Sequence, residues 1–189
     1  MDKVENLSAL TKEEALNTLD RTIGFVNNCD SKASVILGIF GIIITILFST
    51  EGVNELKSII KAAIAEGTTC GAFYIILLLI ASVTFGFGSF KLLMVLFANT
   101  KCGDDSQAVL ERDSKIFFGS ICKNGSYKQY KEKLMLYSEE DYLNDIISQI
   151  YINSVICNNK FENYKRGMKI SIIGFSAFVF MWALGIIIY

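Results

Sequence analysis

Three stretches of the chain lose their mixed polar and apolar pattern and become uniformly uncharged: Ala33–Ser49, Gly67–Phe90 and Ile170–Tyr189. A helix rises about 1.5 Å per residue, so roughly 20 apolar residues cross the hydrocarbon core of a bilayer. The second and third runs reach that length. The first is shorter, and spans with Ser34 and its neighbours at the interface. Their few Ser and Thr hydroxyls can bond back to carbonyls of their own helix.

On either side of these runs the pattern is that of amphipathic helices. Thr11-Lys-Glu-Glu14 has the form of a capping box, and Leu16, Leu19, Ile23 and Val26 follow at three- and four-residue steps. The sequence contains no proline, so nothing interrupts this helix before the first apolar run. Ser138-Glu-Glu-Asp141 is a second capping signature. From it a long helix is predicted to run without a break into the third apolar run. Its Leu143, Ile147, Ile150, Ser154, Cys157, Phe161, Tyr164 and Met168 form a heptad-like seam suited to packing on another helix. Between these elements the pattern predicts a polar turn at Lys101–Asp105 and a helix over Gln107–Phe118. A loop at Lys123–Ser126 and a shorter helix near Tyr127–Met135 follow. Val53, Leu56, Ile59, Ile60 and Ile64 define a short amphipathic stretch expected to lie on the outer membrane surface.

The fold class that follows is an all-α membrane protein with three transmembrane helices and a small cytoplasmic helical bundle, the long helix continuous into the third span. The organisation is an N-terminal amphipathic helix over 1–32 and a transmembrane hairpin over 33–98. The hairpin has spans at about 33–49 and 71–98 and an outer loop at 50–70. A cytoplasmic helical region over 99–169 and a third span over 170–189 complete the chain. A mean hydropathy of +0.42 agrees with this reading. A bundle of this size has little core of its own, so anchoring by the spans or assembly into a homo-oligomer is expected. Ser34/Gly38, Gly41/Thr45 and Ser82/Gly86 are small-xxx-small pairs that favour such association.

Charge sets the expected orientation. Lys3, Lys12, Arg21 and Lys32 precede the first span, only Lys57 and Lys61 lie between the first two, and eleven Lys and Arg fall from Lys101 to Lys169. The positive-inside rule then places the N-terminus and 99–169 in the cytoplasm, and 50–70 and Tyr189 outside. A net charge of −1 supplies no bulk attraction to nucleic acid, and none is expected as a direct partner.

The chain has no histidine, which excludes Ser-His-Asp and Cys-His catalysis. No Walker or GxGxxG loop occurs outside a span, and the five cysteines form no CxxC. Neither an enzyme nor a metal site is therefore expected. Cys70 lies alone near the outer interface, its pairing between subunits left open. The polar residues that stand out sit beside the spans. Asp30 and Lys32 close the N-terminal helix, where Lys32 either snorkels and pairs with Asp30 or faces a ligand. Asn153 and Lys160, seven residues apart, share a helix face that either bonds a phosphate and a base edge or pins the register of a seam. Phe117-Phe118-Gly119 reads as core aromatics with a helix C-cap, or as a platform on which Phe118 (or Tyr142) stacks on a base.

The order Asp30-Ser-Lys32-Ala33-Ser34, Phe117-Phe118-Gly119, Ser138-Glu-Glu-Asp141-Tyr142, Gln149-Ile150, Asn153 and Lys160-Phe161, set against the spans, resembles the transmembrane effectors of Pycsar-type bacterial anti-phage systems. That resemblance implies a non-enzymatic inner-membrane effector of abortive infection. Its activating ligand would be a cyclic mononucleotide, cyclic UMP or cyclic CMP, made by a partner cyclase, and its target the lipid bilayer. The ligand site it suggests comprises Asp30, Lys32, Phe118, Gly119, Asn153 and Lys160, with no cofactor besides the messenger. The alternative is a membrane scaffold that binds a protein partner through its cytoplasmic bundle.

Overall fold

In the computed structural model, residues 10–97 and 114–189 are described, and their regular structure is helical. The elements are α1 (Lys12–Leu47), α2 (Thr50–Ala65), α3 (Thr69–Leu96), α4 (Phe118–Ile121) with a 3₁₀ turn at Cys122–Asn124, α5 (Tyr127–Met135) and α6 (Glu139–Ile188). Helices α1, α3 and α6 are each long and apolar enough to cross a membrane. Neither α1 nor α6 breaks on the way to its apolar part. At 50 residues, α6 is about 75 Å long. The described residues divide into two compact units, one within 29–97 and 160–189, the other within 10–28 and 114–159.

In the first, membrane unit, α1, α3 and α6 pack along layers of aromatic and small residues. Phe40, Phe85 and Phe175, one from each helix, meet with ring centroids 5.2–5.9 Å apart. Nearer one end, Phe48 stacks on Phe178 and lies edge-on to Trp182. The amphipathic stretch of 50–70 is α2, which buries Ile59 and Ala63 against Tyr74, Leu78, Phe178 and Trp182. Its apolar face is thus used within the bundle. Gly67, at φ +61°, turns the chain from α2 into α3, a backbone conformation that suits glycine. Thr68 then caps α3 by accepting from the Gly71 amide at 3.1 Å.

The backbones of α3 and α6 touch. A Cβ at Gly88 would collide with the Ser171 backbone, and one at Gly174 with the backbone of Phe85. At Gly185 a Cβ would strike the Tyr74 hydroxyl, which donates to the Met181 carbonyl at 2.9 Å. Such approaches let dispersion and buried hydrogen bonds hold helices together where lipid removes the hydrophobic drive. The glycines of the small-xxx-small pairs read from the sequence behave differently. Gly38, Gly41 and Gly86 have open space where a Cβ would sit.

In the second, polar unit, both capping boxes form as the sequence predicts. The Thr11 amide and hydroxyl donate to Glu14 at 2.9 and 2.8 Å, and the Glu14 amide donates back to the Thr11 hydroxyl. Ser138 and Asp141 repeat the arrangement at the start of α6. Helix α5 matches its predicted bounds, and the loop before it turns at Gly125 and ends on Ser126, which caps α5. The expected helix over Gln107–Phe118 is not borne out in its described part. Ser114–Phe117 is a turn in which the Ser114 hydroxyl accepts from the Phe117 amide at 3.0 Å, a local bond that competes with helix. The remainder of that expectation, and the polar turn at Lys101–Asp105, lie outside the described residues.

Two predictions follow from these packing and capping contacts. Gly174→Val drives a side chain into the α3 backbone and should destabilise the detergent-solubilised protein by about 2 kcal/mol or more, whereas Gly86→Ala, in open space, should leave it as stable or more so; thermal unfolding followed by circular dichroism separates them. Hydrogen bonds from Ser138 hold the Asp141 carboxyl below the ordinary value of 3.8. A depressed folded value means that its contribution is complete above the ordinary carboxylate range and lost as pH falls through the lower folded value. The stability deficit of Asp141→Ala relative to the parent should accordingly shrink in unfolding experiments run at progressively more acid pH.

Candidate functional site

The apolar seam read along α6 matches the face the helix buries only in part: Leu143, Ile150, Cys157, Tyr164 and Met168 are half-buried. Ile147 and Phe161 are exposed, as is Ser154, while Asp145, Ile146, Gln149, Ile152, Lys160 and Gly167 are buried. Alongside the apolar Ile146, Ile152, Phe178 and Trp182, the inward face of α6 carries polar and small residues, and the polar ones build two clusters, one in each unit.

In the membrane unit the cluster centres on Lys160, which is only 7% exposed. Its ammonium donates to Asp30 Oδ1 at 2.5 Å and to the Val95 carbonyl at 2.8 Å. Val95 lies in the last turn of α3, whose final carbonyls have no partners within the helix and carry the negative end of its dipole. One cation therefore satisfies a carboxylate of α1, a terminal carbonyl of α3 and its own burial on α6. Cys29, Ala33 and Val95 are completely buried beside it, with Tyr164 packed against them. The small side chains at 29 and 33 are what allow α1 to come this close.

In the polar unit the cluster centres on Asp145, 6% exposed. Its Oδ2 accepts from the Lys115 amide at 2.7 Å and from the Tyr137 hydroxyl at 3.0 Å. Tyr130 donates to the Lys115 carbonyl at 2.8 Å, so both sides of the Lys115 backbone are held. Burial, then the hydrogen bond to Asp145 and the charges of Asp145 and Asp141, push the Tyr137 phenol well above its ordinary range. Tyr137 thus remains a donor across the physiological range. Sequence reading passed over Asp145 and Tyr137. Asp145 does, however, interrupt the apolar pattern of α6, and a carboxylate flanked by Asn144 and Ile146 was the available signal.

The six residues expected at a ligand site are distributed as follows. Asp30 and Lys160 are joined directly. Lys32 is exposed on α1. Asn153 donates its side-chain amide to the Gln149 carbonyl of its own helix at 2.8 Å. Phe118 is 70% exposed at the start of α4, so it is not a core aromatic. Gly119 lies within α4 against the Phe117 ring rather than serving as a C-cap. Tyr142 has the Lys12 ammonium 4.6 Å from its ring centroid. Among the described residues no group of His, Cys, Asp and Glu is arranged to hold a metal.

Removing the Lys160 charge should be costly because Asp30 and the Val95 carbonyl both lose their donor. Lys160→Met is expected to destabilise the solubilised protein by about 3 kcal/mol, and the charge swap of Asp30→Lys with Lys160→Asp should not restore it, since a carboxylate would then face the Val95 carbonyl. Thermal midpoints of the single and double variants test this.

Comparison with known proteins places the chain. The family model described as the Pycsar effector protein domain matches residues 14–188, which includes both clusters. The Pycsar effector protein GmPycTM of Gulbenkiania mobilis is 34% identical over 172 residues, covering 84% of this chain and 84% of that protein. No solved structure matches. Three membrane-length helices and a family match over nearly the whole length make this chain a member of the Pycsar effector family, the transmembrane effectors of bacterial anti-phage defence.

Proposed function

We propose that this protein is a cyclic-nucleotide-gated membrane effector: it senses a messenger in its polar unit and, on binding, compromises the inner membrane of the infected cell. The observation that carries this reading is the continuity of α6 from Glu139 to Ile188. One continuous helix bears the buried cluster at Asp145 in its first part and the glycine contacts of the span in its second. A ligand that favours one arrangement of the first part biases the second, by no more than its difference in affinity between the two states.

The messenger is a cyclic mononucleotide, cyclic CMP or cyclic UMP, supplied by a partner cyclase. Phe118 offers an exposed ring for stacking on a base, with Gly119 beside it, and Asn153 a polar side chain on α6. Lys32 offers an exposed ammonium to an anion. Asp30 and Lys160 act as the clasp whose strength the signal must overcome. The N-terminus and the polar unit face the cytoplasm in this reading, because that side collects most of the Lys and Arg. The protein works as a homo-oligomer and without catalysis. Gly38, Gly41 and Gly86, which pack on nothing in one chain, leave small-residue surfaces for contacts between copies.

The test is dye leakage from liposomes holding the purified full-length protein, titrated with cyclic CMP, cyclic UMP, cyclic AMP and cyclic GMP. Leakage triggered by one of them at micromolar concentration is the expected result. If the protein is folded and inserted and none triggers leakage, the gated reading fails. The scaffold reading then takes its place, with exposed Ile147 and Phe161 as the surface for a protein partner.

A further inference from the structure

Asp145 and Gln149 lie one turn apart on the buried face of α6, 6% and 5% exposed. Each keeps one buried polar atom without a hydrogen-bond partner: Asp145 Oδ1, an acceptor, and Gln149 Nε2, a donor. Buried polar atoms are nearly always satisfied, because leaving one bare forfeits its hydration without return. The rest of the cluster shows that its geometry is not slack. Oδ2 of the same carboxylate takes two donors, and the Lys115 backbone is bonded on both sides.

The pair of bare atoms restricts what could complete it. A metal cation would suit the carboxylate but be repelled by the N–H of Gln149. A phosphate would suit the amide but be repelled by the carboxylate. An uncharged group that presents a hydrogen-bond donor beside an acceptor satisfies both. The Watson–Crick edge of a nucleobase has this character, and carboxylates accept from the cytosine exocyclic amine.

We infer that Asp145 and Gln149 read the base of the messenger, Asp145 Oδ1 accepting from a donor on its Watson–Crick edge and Gln149 Nε2 donating to the neighbouring acceptor. The inference rests on the nucleotide-sensing reading above and assigns its specificity to two residues on α6. It places the base, not the phosphate, against this cluster. The bond that identifies the messenger is then made to the helix that continues into the membrane.

The experiment is calorimetric titration of the full-length protein in detergent with the four cyclic nucleotides and with 2′-deoxy cyclic CMP. It is run on the parent, Asp145→Asn and Gln149→Leu, with thermal midpoints of each unliganded protein. The parent is expected to bind at least one member of the panel. Both substitutions should weaken that binding about tenfold to a hundredfold. Asp145→Asn should also change the ranking of bases, because an amide brings a donor where the carboxylate had none. Gln149→Leu removes an unsatisfied buried group, so the unliganded protein should be as stable as the parent or more so while binding is weakened; a merely structural glutamine would lose stability instead. Unchanged affinity and ranking in both variants would mean that the pair holds only water and would overturn the inference. So would an equal loss for every base, matched by loss of the 2′-hydroxyl, which moves the contact to the ribose. A parent protein that binds no nucleotide overturns the sensing reading itself, and this inference with it.

Discussion

The membrane unit depends on a single ammonium group. An ionised lysine side chain is costly to bury unless acceptors surround it, and Lys160 has two, a carboxylate 130 residues away in sequence and the end of α3. Because the acceptors sit on different helices, satisfying the charge brings α1, α3 and α6 together at one level. The neighbouring residues conform to this requirement. Cys29 and Ala33 are small enough to let α1 approach, and Val95 lies where the carbonyl of α3 is exposed by the helix's end. Hydrophobic burial does not supply this constraint, because lipid is as apolar as the helices themselves.

Along the rest of the bundle, shape does what charge does at Lys160. Gly88, Gly167 and Gly174 let α3 and α6 come into backbone contact, and Gly185 makes room for the Tyr74 hydroxyl. Glycine costs helix stability in water, so its concentration on one face reflects packing. Dispersion contacts and the part-buried hydrogen bond from Tyr74 to the Met181 carbonyl offset that cost. A bundle held by close fit and one clasp has few intermediate packings, since packed interfaces tend to exchange between discrete arrangements. That property suits the gating proposed for this protein.

The polar unit relies on satisfied polar groups more than on apolar volume. Asp145 fixes the Ser114–Phe117 turn to α6, and Tyr137 fixes the end of α5 to the same carboxylate. Among the described residues of this unit, Ile146 and Ile152 are the large apolar side chains that are buried, and these polar bonds add to what they supply. This reliance on polar groups also explains why the seam read from apolar periodicity matches the buried face only in part. Helix faces are assigned from sequence by assuming that apolar residues point inward. Along α6 the inward positions include Asp145, Gln149, Lys160, Gly167, Ser171 and Gly174 beside the apolar Ile146, Ile152, Phe178 and Trp182, whereas Ile147 and Phe161 face outward.

By itself the sequence determined the all-α class, the three membrane-length helices, both capped helix starts, helix α5 and the unbroken course of α1 and α6. It did so because these follow from local rules: apolar length, side-chain caps and the absence of proline. It also marked Asp30 and Lys160 as notable, and the family through the order of its short motifs. Only the tertiary structure decided that these two residues bond each other, that Val95 shares the lysine, that Gly88 and Gly174 rather than Gly38 and Gly86 mark the helix contacts, and that Asp145 organises the polar unit. Each of these is a pairing between residues distant in sequence. A hydrogen-bond partner or a backbone approach is a property of two positions at once, and no periodicity along one chain segment encodes the second position.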